Sequence, residues 1–230
     1  MPNPLQKLYL KLADTGCVLD VGCIGFRQVG EAKQMGRPHL RHFGVDYVDL
    51  SEQLPEAFVF SQADLSKESI PFADDSFDLV VASHIIEHLP NPIDFFGECV
   101  RVCRPGGWMY FEAPSERSLL FPGMPFKHES FFSLSFYDDP THTFRPWTPQ
   151  SLHRLSRYFA CEPIETGYRV SWKHRLAFPL TIVYALLTSN GSLLERACWY
   201  AVGWASYLIV QKPQKLAGKP AFHYYIPVNR

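Results

Sequence analysis

The chain has 230 residues, of which 47% are apolar and 20% are charged, and its formal net charge is −1. This length and composition predict a single folded domain over residues 1–230 and exclude a disordered chain. The near-neutral charge argues against a general nucleic-acid binder. Six cysteines without a Cys-x-x-Cys pair indicate buried free thiols, and the N-terminus lacks a signal-peptide pattern, so we expect a cytoplasmic protein.

Predicted strands and helices alternate through the first part of the chain. The segment from Phe77 to Ala82 is almost continuously apolar, which is typical of a strand buried on both faces of a parallel sheet. Pro92 to Cys103 predicts a helix, which a Pro-Gly-Gly segment ends. This alternation predicts an α/β fold with a doubly wound sheet. The strands expected here are Cys17–Val21, His42–Asp46, Phe58–Phe60, Phe77–Ala82 and Trp108–Ala113.

A hydrophobic helical insert, residues 172–205, precedes the last predicted strand. Its two apolar runs are too short to span a bilayer. Three interpretations remain open, namely an extra pair of core helices, a contact in a homodimer, and an interfacial membrane anchor. The elements expected in this part are a helix from Thr148 to Tyr158, strands at Cys161–Val170 and Tyr207–Lys212, and the apolar runs Leu176–Leu187 and Leu193–Trp204.

Basic charge is concentrated at the C-terminal end. Residues 172–230 carry seven lysines and arginines but one acid, which makes this end +6. They also contain Trp172, Trp199, Tyr200 and Trp204, and aromatic side chains favour the bilayer interface. Basic residues near anionic headgroups contribute about 1 kcal/mol each. Peripheral membrane contact through this end is therefore one hypothesis, and burial against the domain or a second copy is its alternative.

An acid and a glycine-containing turn follow the first predicted strand. Asp20 lies at the end of this strand, and Gly22 and Gly25 allow the backbone to approach a ligand. Asp46 ends the second strand and Asp64 follows the third. Acids and backbone N–H groups at the carboxyl ends of parallel strands can hold a charged, nucleotide-like cofactor. A nicotinamide cofactor is disfavoured because Gly-x-Gly-x-x-Gly is absent after the first strand.

This ordered series resembles the class I S-adenosylmethionine (SAM) dependent methyltransferases, specifically a methyltransferase type 11-like domain. The resemblance extends roughly from Cys17 to Val170 and includes the segments Ile70–His84 and Arg104–Gly107. It implies a Rossmann-like seven-stranded sheet that is mostly parallel and has an antiparallel last strand. It also implies SAM as the cofactor.

The resemblance assigns each acid to one part of SAM. Asp20 would hold the ammonium group, directly or through water. Asp46 would accept hydrogen bonds from both ribose hydroxyls, because a carboxylate has two acceptor oxygens. Asp64 would face the adenine amino group, and the backbone N–H of Leu65 would contact the ring. The cofactor-binding residues expected from the resemblance are Asp20, Gly22, Cys23, Gly25, Asp46, Tyr47, Asp64, Leu65 and Ser83.

The glycine turn departs from the family pattern. The family usually has glycine at three positions, which are occupied here by Gly22, Ile24 and Phe26. Side chains at the last two positions are expected to crowd SAM unless Gly25 shifts the turn. Phe26 to Arg41 is also a poor helix sequence. A SAM-fold binding module with weak or no turnover therefore remains as a non-enzymatic alternative.

The run from His84 to His88 matches His-x-x-Glu-His, a zinc-peptidase pattern that places two imidazoles on one helical face. A zinc hydrolase is thus a remote alternative, but no third ligand can be named and we expect no metal site. The methyltransferase family commonly has a similar Glu-His-Leu segment. The resemblance therefore places His84 at the end of strand four beside the reacting methyl group, with Glu87 and His88 opening the next helix.

Residues 114–147 form the expected acceptor loop or lid. The segment from Asp139 to His142 resembles an Asp-x-Thr-His motif in a glycan- and natural-product-linked branch of the family. His142 is the first candidate for the catalytic base and His84 the second. The alternative is that Asp139 and His142 pair only to hold the loop. The sequence thus predicts methyl transfer to an oxygen of a small-molecule or glycan-type acceptor, lipid-linked acceptors included.

Overall fold

The computed structural model describes residues 3–123, 125 and 134–215. In this part of the chain one seven-stranded sheet has the strand order β3-β2-β1-β4-β5-β7-β6. Strands β1 to β5 run parallel, and β7 runs antiparallel to both of its neighbours. The predicted fold class is therefore confirmed. The strands are β1 (Cys17–Val21), β2 (Arg41–Asp46), β3 (Val59–Gln62), β4 (Phe77–Ser83), β5 (Cys103–Pro114), β6 (Glu162–Tyr168) and β7 (Ala205–Gln211).

Two hydrophobic layers cover the sheet. In β4, Val80 belongs to the core on one face, whereas Leu79 and Val81 belong to the core on the other. Successive side chains of a strand point to opposite faces, which explains why β4 is apolar almost throughout. All six cysteines are buried free thiols, as predicted. The helices are α1 (Pro4–Tyr9), α2 (Arg27–Gln34), α3 (Pro92–Val102), α4 (Pro149–Tyr158), α5 (Trp172–Leu187) and α6 (Gly191–Val202).

The segment between β4 and α3 is not helical, so the prediction that Glu87 and His88 open a helix is wrong. This segment forms a turn, and α3 begins only at Pro92. A proline disfavours helical backbone at the residue before it, and Pro90 and Pro92 both follow the turn. The two histidines of the His-x-x-Glu-His run therefore do not share a helical face, which removes the basis of the zinc-hydrolase alternative.

The insert consists of one packed helix and one exposed helix. Leu194, Cys198 and Ala201 of α6 are buried. Trp199 stacks on Trp204 with ring centroids 4.1 Å apart, and Trp204 is only 2% exposed. Trp204, which follows α6, is therefore unavailable to a membrane, contrary to the sequence expectation. Its indole Nε1 donates a hydrogen bond to the carbonyl oxygen of Leu134.

The outer face of α5 carries the exposed apolar side chains of the insert. Trp172, Leu176, Leu180, Val183 and Leu187 recur every three or four residues and therefore lie on one side of the helix. Within the residues that the structure describes, no helix is long and apolar enough to cross a membrane. The exposed apolar residues of α5 are Trp172, Leu176, Leu180, Val183, Tyr184, Leu186 and Leu187.

Part of the basic C-terminal charge is neutralised inside the fold. Lys212 is buried, and its Nζ donates hydrogen bonds to Asp75 Oδ1 at 2.6 Å and to two backbone carbonyls. This lysine cannot contact lipid headgroups, contrary to the sequence expectation for the whole basic end. Residues 216–230 of that end, and residues 124 and 126–133 of the predicted lid, lie outside the described part of the chain.

Candidate active site

A cavity of about 630 Å³ opens at the carboxyl edge of β1, β2 and β4. One wall holds residues predicted to bind SAM, and the opposite wall holds residues from the turn after β4 and from the predicted acceptor loop. The lining residues used below are Gly22, Asp46, Asp64, His84, His88 and Thr143. Ligand sites of α/β sheets occur at this edge, because the strand ends and the loops after them converge there.

Asp46 is a buried acid of the cavity wall. Its side chain accepts hydrogen bonds from the backbone N–H groups of Ile24 at 3.2 Å and of Val48 at 3.1 Å. The residue is only 6% exposed. Both carboxylate oxygens are thus held in place and still have acceptor capacity towards the cavity. This arrangement suits the paired hydroxyls of a ribose.

The glycine turn accommodates its unusual residues without filling the cavity. Gly22 has φ +77°, and a Cβ there would lie 3.2 Å from Ile85 Cδ1. Phe26 turns away and packs edge-to-face on Phe58, with ring centroids 5.1 Å apart. Ile24 stands at the mouth of the cavity and is 66% exposed. The crowding expected at Phe26 is therefore avoided because its ring joins a small core.

Asp64 and its neighbours line the part of the cavity that the resemblance assigns to adenine. Asp64 Oδ2 lies 2.7 Å from Lys67 Nζ, and Oδ1 accepts a hydrogen bond from the backbone N–H of Ser66. Hydrogen bonds from Lys67 and Ser66 lower the pKa of Asp64 to about 2. Leu65 and Tyr47 also line this wall. The Asp64 carboxylate is therefore charged, and it is partly exposed to solvent.

Four residues of the predicted cofactor set do not line the cavity, namely Asp20, Cys23, Gly25 and Ser83. Burial raises the pKa of Asp20 to about 8, since the carboxylate lies behind the turn and is 4% exposed. The Cys23 side chain packs in a cluster with Phe58. The side chains of Asp20 and Cys23 therefore lie in the protein interior, away from the cavity wall.

His84 sits at the end of β4 between two glutamates. Its Nδ1 lies 3.3 Å from Glu87 Oε1, and its Nε2 lies 3.5 Å from Glu112 Oε1. Burial disfavours the charged imidazole, but hydrogen bonds to Glu112 and Glu87 outweigh it and raise the pKa of His84 to about 10. His84 thus carries its proton at neutral pH and is poorly suited to accept another. Sequence reasoning missed Glu112, although it is the only acid of β5, because the sequence does not show that this side chain meets His84 of the neighbouring strand end.

His142 lies behind the cavity wall. Its side chain is 6% exposed, and its Nδ1 lies 2.6 Å from the carbonyl oxygen of Phe136. The ring of His88, which lines the cavity, packs against it with centroids 4.9 Å apart. Asp139 Oδ2 is 3.9 Å from His142 Nε2, so the expected Asp139–His142 pair is loose. The structure thus brings His88 to the acceptor side, a position that the sequence analysis did not assign to it.

Replacing Asp46 with alanine should weaken SAM binding by about 1–3 kcal/mol, because two ribose hydroxyls would lose their acceptor. Titration calorimetry with SAM measures this loss, and circular dichroism checks that the variant folds. Asp64→Ala is the matched control and should have the smaller effect, since backbone groups share the adenine contact. Equal SAM affinity in wild type and Asp46→Ala would show that the ribose binds elsewhere.

Comparisons with known proteins agree with this geometry. A family model described as a methyltransferase domain matches residues 19–111. The chain is 26% identical over 199 residues to a ubiquinone biosynthesis O-methyltransferase of Thiobacillus denitrificans, covering 80% of this chain and 79% of the relative. A ubiquinone biosynthesis O-methyltransferase of Neisseria meningitidis is 25% identical over 208 residues, which cover 85% of this chain and 83% of that one.

Solved structures show the same fold. A SAM-dependent methyltransferase from Archaeoglobus fulgidus superposes with a TM-score of 0.57 and 21% identity, covering 86% of each chain. Phosphoethanolamine N-methyltransferase 2 of Haemonchus contortus, in complex with SAM, superposes with a TM-score of 0.60 and 19% identity, covering 91% of this chain and 52% of that one. With the strand order and the acid-lined cavity, the matched methyltransferase domain and these relatives support the assignment of the chain to the class I SAM-dependent methyltransferases.

Proposed function

We propose that this methyltransferase transfers the methyl group of SAM to an oxygen of a small-molecule or glycan-type acceptor. The observation that carries the proposal is the two-sided cavity. Asp46 and Asp64 lie on its cofactor wall, whereas His88, Thr141 and Thr143 form a polar wall opposite. A hydroxyl acceptor suits imidazole and hydroxyl neighbours, which can orient it and take up its proton. The two relatives named as O-methyltransferases support the choice of oxygen.

Methyl transfer needs the acceptor oxygen in line with the sulfonium of SAM. Holding the two reactants in that geometry supplies most of the rate enhancement. The turn after β4 is suited to this task because the backbone carbonyl of Glu87 accepts hydrogen bonds from the N–H groups of Thr143 and Phe144. These bonds tie the proposed acceptor loop to the turn that follows β4. His84, as a half-buried cation, holds the turn in place rather than accepting the proton.

The test is methyl transfer from labelled SAM to phenolic, catechol and sugar-nucleotide hydroxyls, with SAM binding measured in parallel. Labelled ether products on a hydroxyl acceptor would support O-methylation. Products only on amines or carbon would contradict it. Tight SAM binding without any product across the panel would favour the alternative of a SAM-fold binding module.

We further propose that α5 rests on an anionic membrane surface and brings the cavity near a lipid-linked acceptor. Leu180 and Leu187 on its outer face are each 81% exposed. Lys173 of α5 and Arg196 of α6 line one shallow pocket, where they can contact anionic headgroups. Exposed apolar side chains next to basic residues favour binding at the interface of an anionic membrane. A dimer through the same face is the competing arrangement.

Liposome sedimentation tests the membrane proposal. We expect the wild type to sediment with vesicles that contain anionic lipid, and we expect this binding to weaken as salt rises. The double variant Leu180→Ser/Leu187→Ser should lose it. Ile93→Ser/Ile164→Ser, which changes two exposed isoleucines elsewhere, is the matched control and should keep it. A stable dimer that does not bind liposomes would contradict the proposal and assign α5 to self-association.

A further inference from the structure

Three ligand-type side chains meet next to the acceptor wall of the cavity. Glu87, His88 and His142 each place a carboxylate oxygen or an imidazole nitrogen within 4.8 Å of the others. We call them the Glu87–His88–His142 cluster. It differs from the His-x-x-Glu-His pattern, because it omits His84 and takes its third member from the distant acceptor loop. The fold, not the local motif, therefore creates the cluster.

Both imidazole rings of the cluster are held in place by hydrogen bonds at Nδ1. His142 Nδ1 lies 2.6 Å from the carbonyl oxygen of Phe136, a contact that requires the N–H to be on this nitrogen. His88 Nδ1 lies 3.2 Å from the carbonyl oxygen of Thr141 and 2.9 Å from its Oγ1. Because that hydroxyl donates its proton to Asp139 Oδ1, both contacts place the N–H on His88 Nδ1. The Nε2 atom of each ring, when neutral, then keeps a lone pair, and Asp139 Oδ2 lies 3.9 Å from that of His142. Histidines that bind metals are commonly held this way, with the other ring nitrogen donating to a backbone carbonyl.

Glu87 supplies a buried carboxylate, one oxygen of which lacks a hydrogen-bond partner. The residue is fully buried, and Oε1 faces Nδ1 of His84 at 3.3 Å. Its Oε2 has no hydrogen-bond partner among the described residues. A buried carboxylate oxygen without a partner is costly, whereas a bound cation would satisfy it. This unpartnered oxygen is a second observation, independent of the histidine orientation, that points to a cation.

We infer that Glu87, His88 and His142 bind one divalent transition-metal ion of the Zn²⁺ class. Two imidazole nitrogens and one carboxylate oxygen are a donor set for borderline ions such as Zn²⁺ or Fe²⁺, whereas Mg²⁺ prefers oxygen ligands. Ligand atoms around a tetrahedral ion are about 3.3 Å apart, given metal–nitrogen distances of about 2.0–2.1 Å. The cluster would have to contract modestly from its 4.8 Å span. Three protein ligands leave a position open to substrate or water.

An ion in this place would act on the acceptor. Thr141 and Thr143 line the cavity beside the cluster, so the open coordination position would meet an acceptor hydroxyl. Coordination lowers the pKa of such a hydroxyl, which releases its proton to water before the oxygen attacks the methyl group. This role rests on the proposed function, whereas the binding of the ion does not. His142 would then be a metal ligand instead of the base.

The experiment titrates the full chain, stripped with a chelator, with Zn²⁺ and separately with Co²⁺. We expect one Zn²⁺ per chain, a visible Co²⁺ absorption band, and no competition by millimolar Mg²⁺. His142→Ala and His88→Ala should each weaken Zn²⁺ binding at least about tenfold, as expected when one of three ligands is lost. His39→Ala removes an exposed histidine elsewhere and is the matched control that should bind normally.

Glu87→Gln keeps the shape of the buried side chain and serves if an alanine variant fails to fold. It should also weaken Zn²⁺ binding. Zn²⁺ binding that is absent from wild type, or unchanged in all three cluster variants, would overturn the inference. SAM binding and methyl transfer are measured on the same samples. Methyl transfer by a protein that binds no Zn²⁺ would reject the metal site and leave the proposed function standing.

Discussion

Replacing His142 with alanine should lower kcat by about 10²–10⁴ while SAM affinity stays nearly unchanged. The reason is the same for a base and for a metal ligand, since either role acts on the acceptor and not on the cofactor. His142 lies behind the acceptor wall and is not part of the surface around Asp46. Single-turnover methyl transfer and SAM calorimetry together measure the two quantities.

The two roles of His142 differ in their pH profiles and their metal dependence. If His142 is the base, the methyl-transfer rate of the wild type should fall at low pH, and His142→Ala should lose this dependence on pH. If His142 is a metal ligand, a chelator should lower the rate of the wild type to that of His142→Ala, and added Zn²⁺ should restore the wild-type rate. His39→Ala is the control for removal of a surface histidine. A parallel loss of SAM affinity would instead make His142 a structural or cofactor-side residue.

Replacing Glu112 with alanine should lower the free energy of unfolding by about 3–5 kcal/mol, the cost of breaking a buried ion pair from one side. Glu112 Oε2 lies 2.9 Å from Arg169 Nε, and Oε1 lies 3.5 Å from His84 Nε2. The Tyr110 hydroxyl also donates to this carboxylate. Without Glu112, His84 can release its proton, but Arg169 stays charged inside the protein. Urea unfolding followed by circular dichroism measures the loss.

Two variants make the Glu112 result interpretable. Asp14→Ala breaks an ion pair with Arg37 in which the Asp14 side chain is 84% exposed, and it should change stability little. Glu112→Gln keeps the size and one hydrogen-bond acceptor, so it separates loss of charge from loss of packing. If Glu112→Ala were no less stable than Asp14→Ala, the buried charge cluster would contribute nothing to the fold.

The sequence alone predicted the parallel part of the sheet and the acids at its carboxyl edge, because these depend on local patterns. The apolar run of β4 predicts a strand buried on both faces, Asp46 ends β2, and Asp64 follows β3. Parallel strands bring their carboxyl ends to one edge, so acids that are distant along the chain converge without further information. The antiparallel last strand came from the family resemblance and not from any local pattern.

Only the tertiary structure decided which residues form the acceptor side. His88 and His142 are 54 positions apart, and nothing in their local sequences relates them. They meet because the acceptor loop hydrogen-bonds to the turn after β4. Likewise, composition alone suits Trp199 and Trp204 to a membrane, yet both rings lie beside His84, Trp199 from α6 and Trp204 from the residue before β7. Side-chain direction depends on which face of a helix meets the domain, and the path of the chain determines that face.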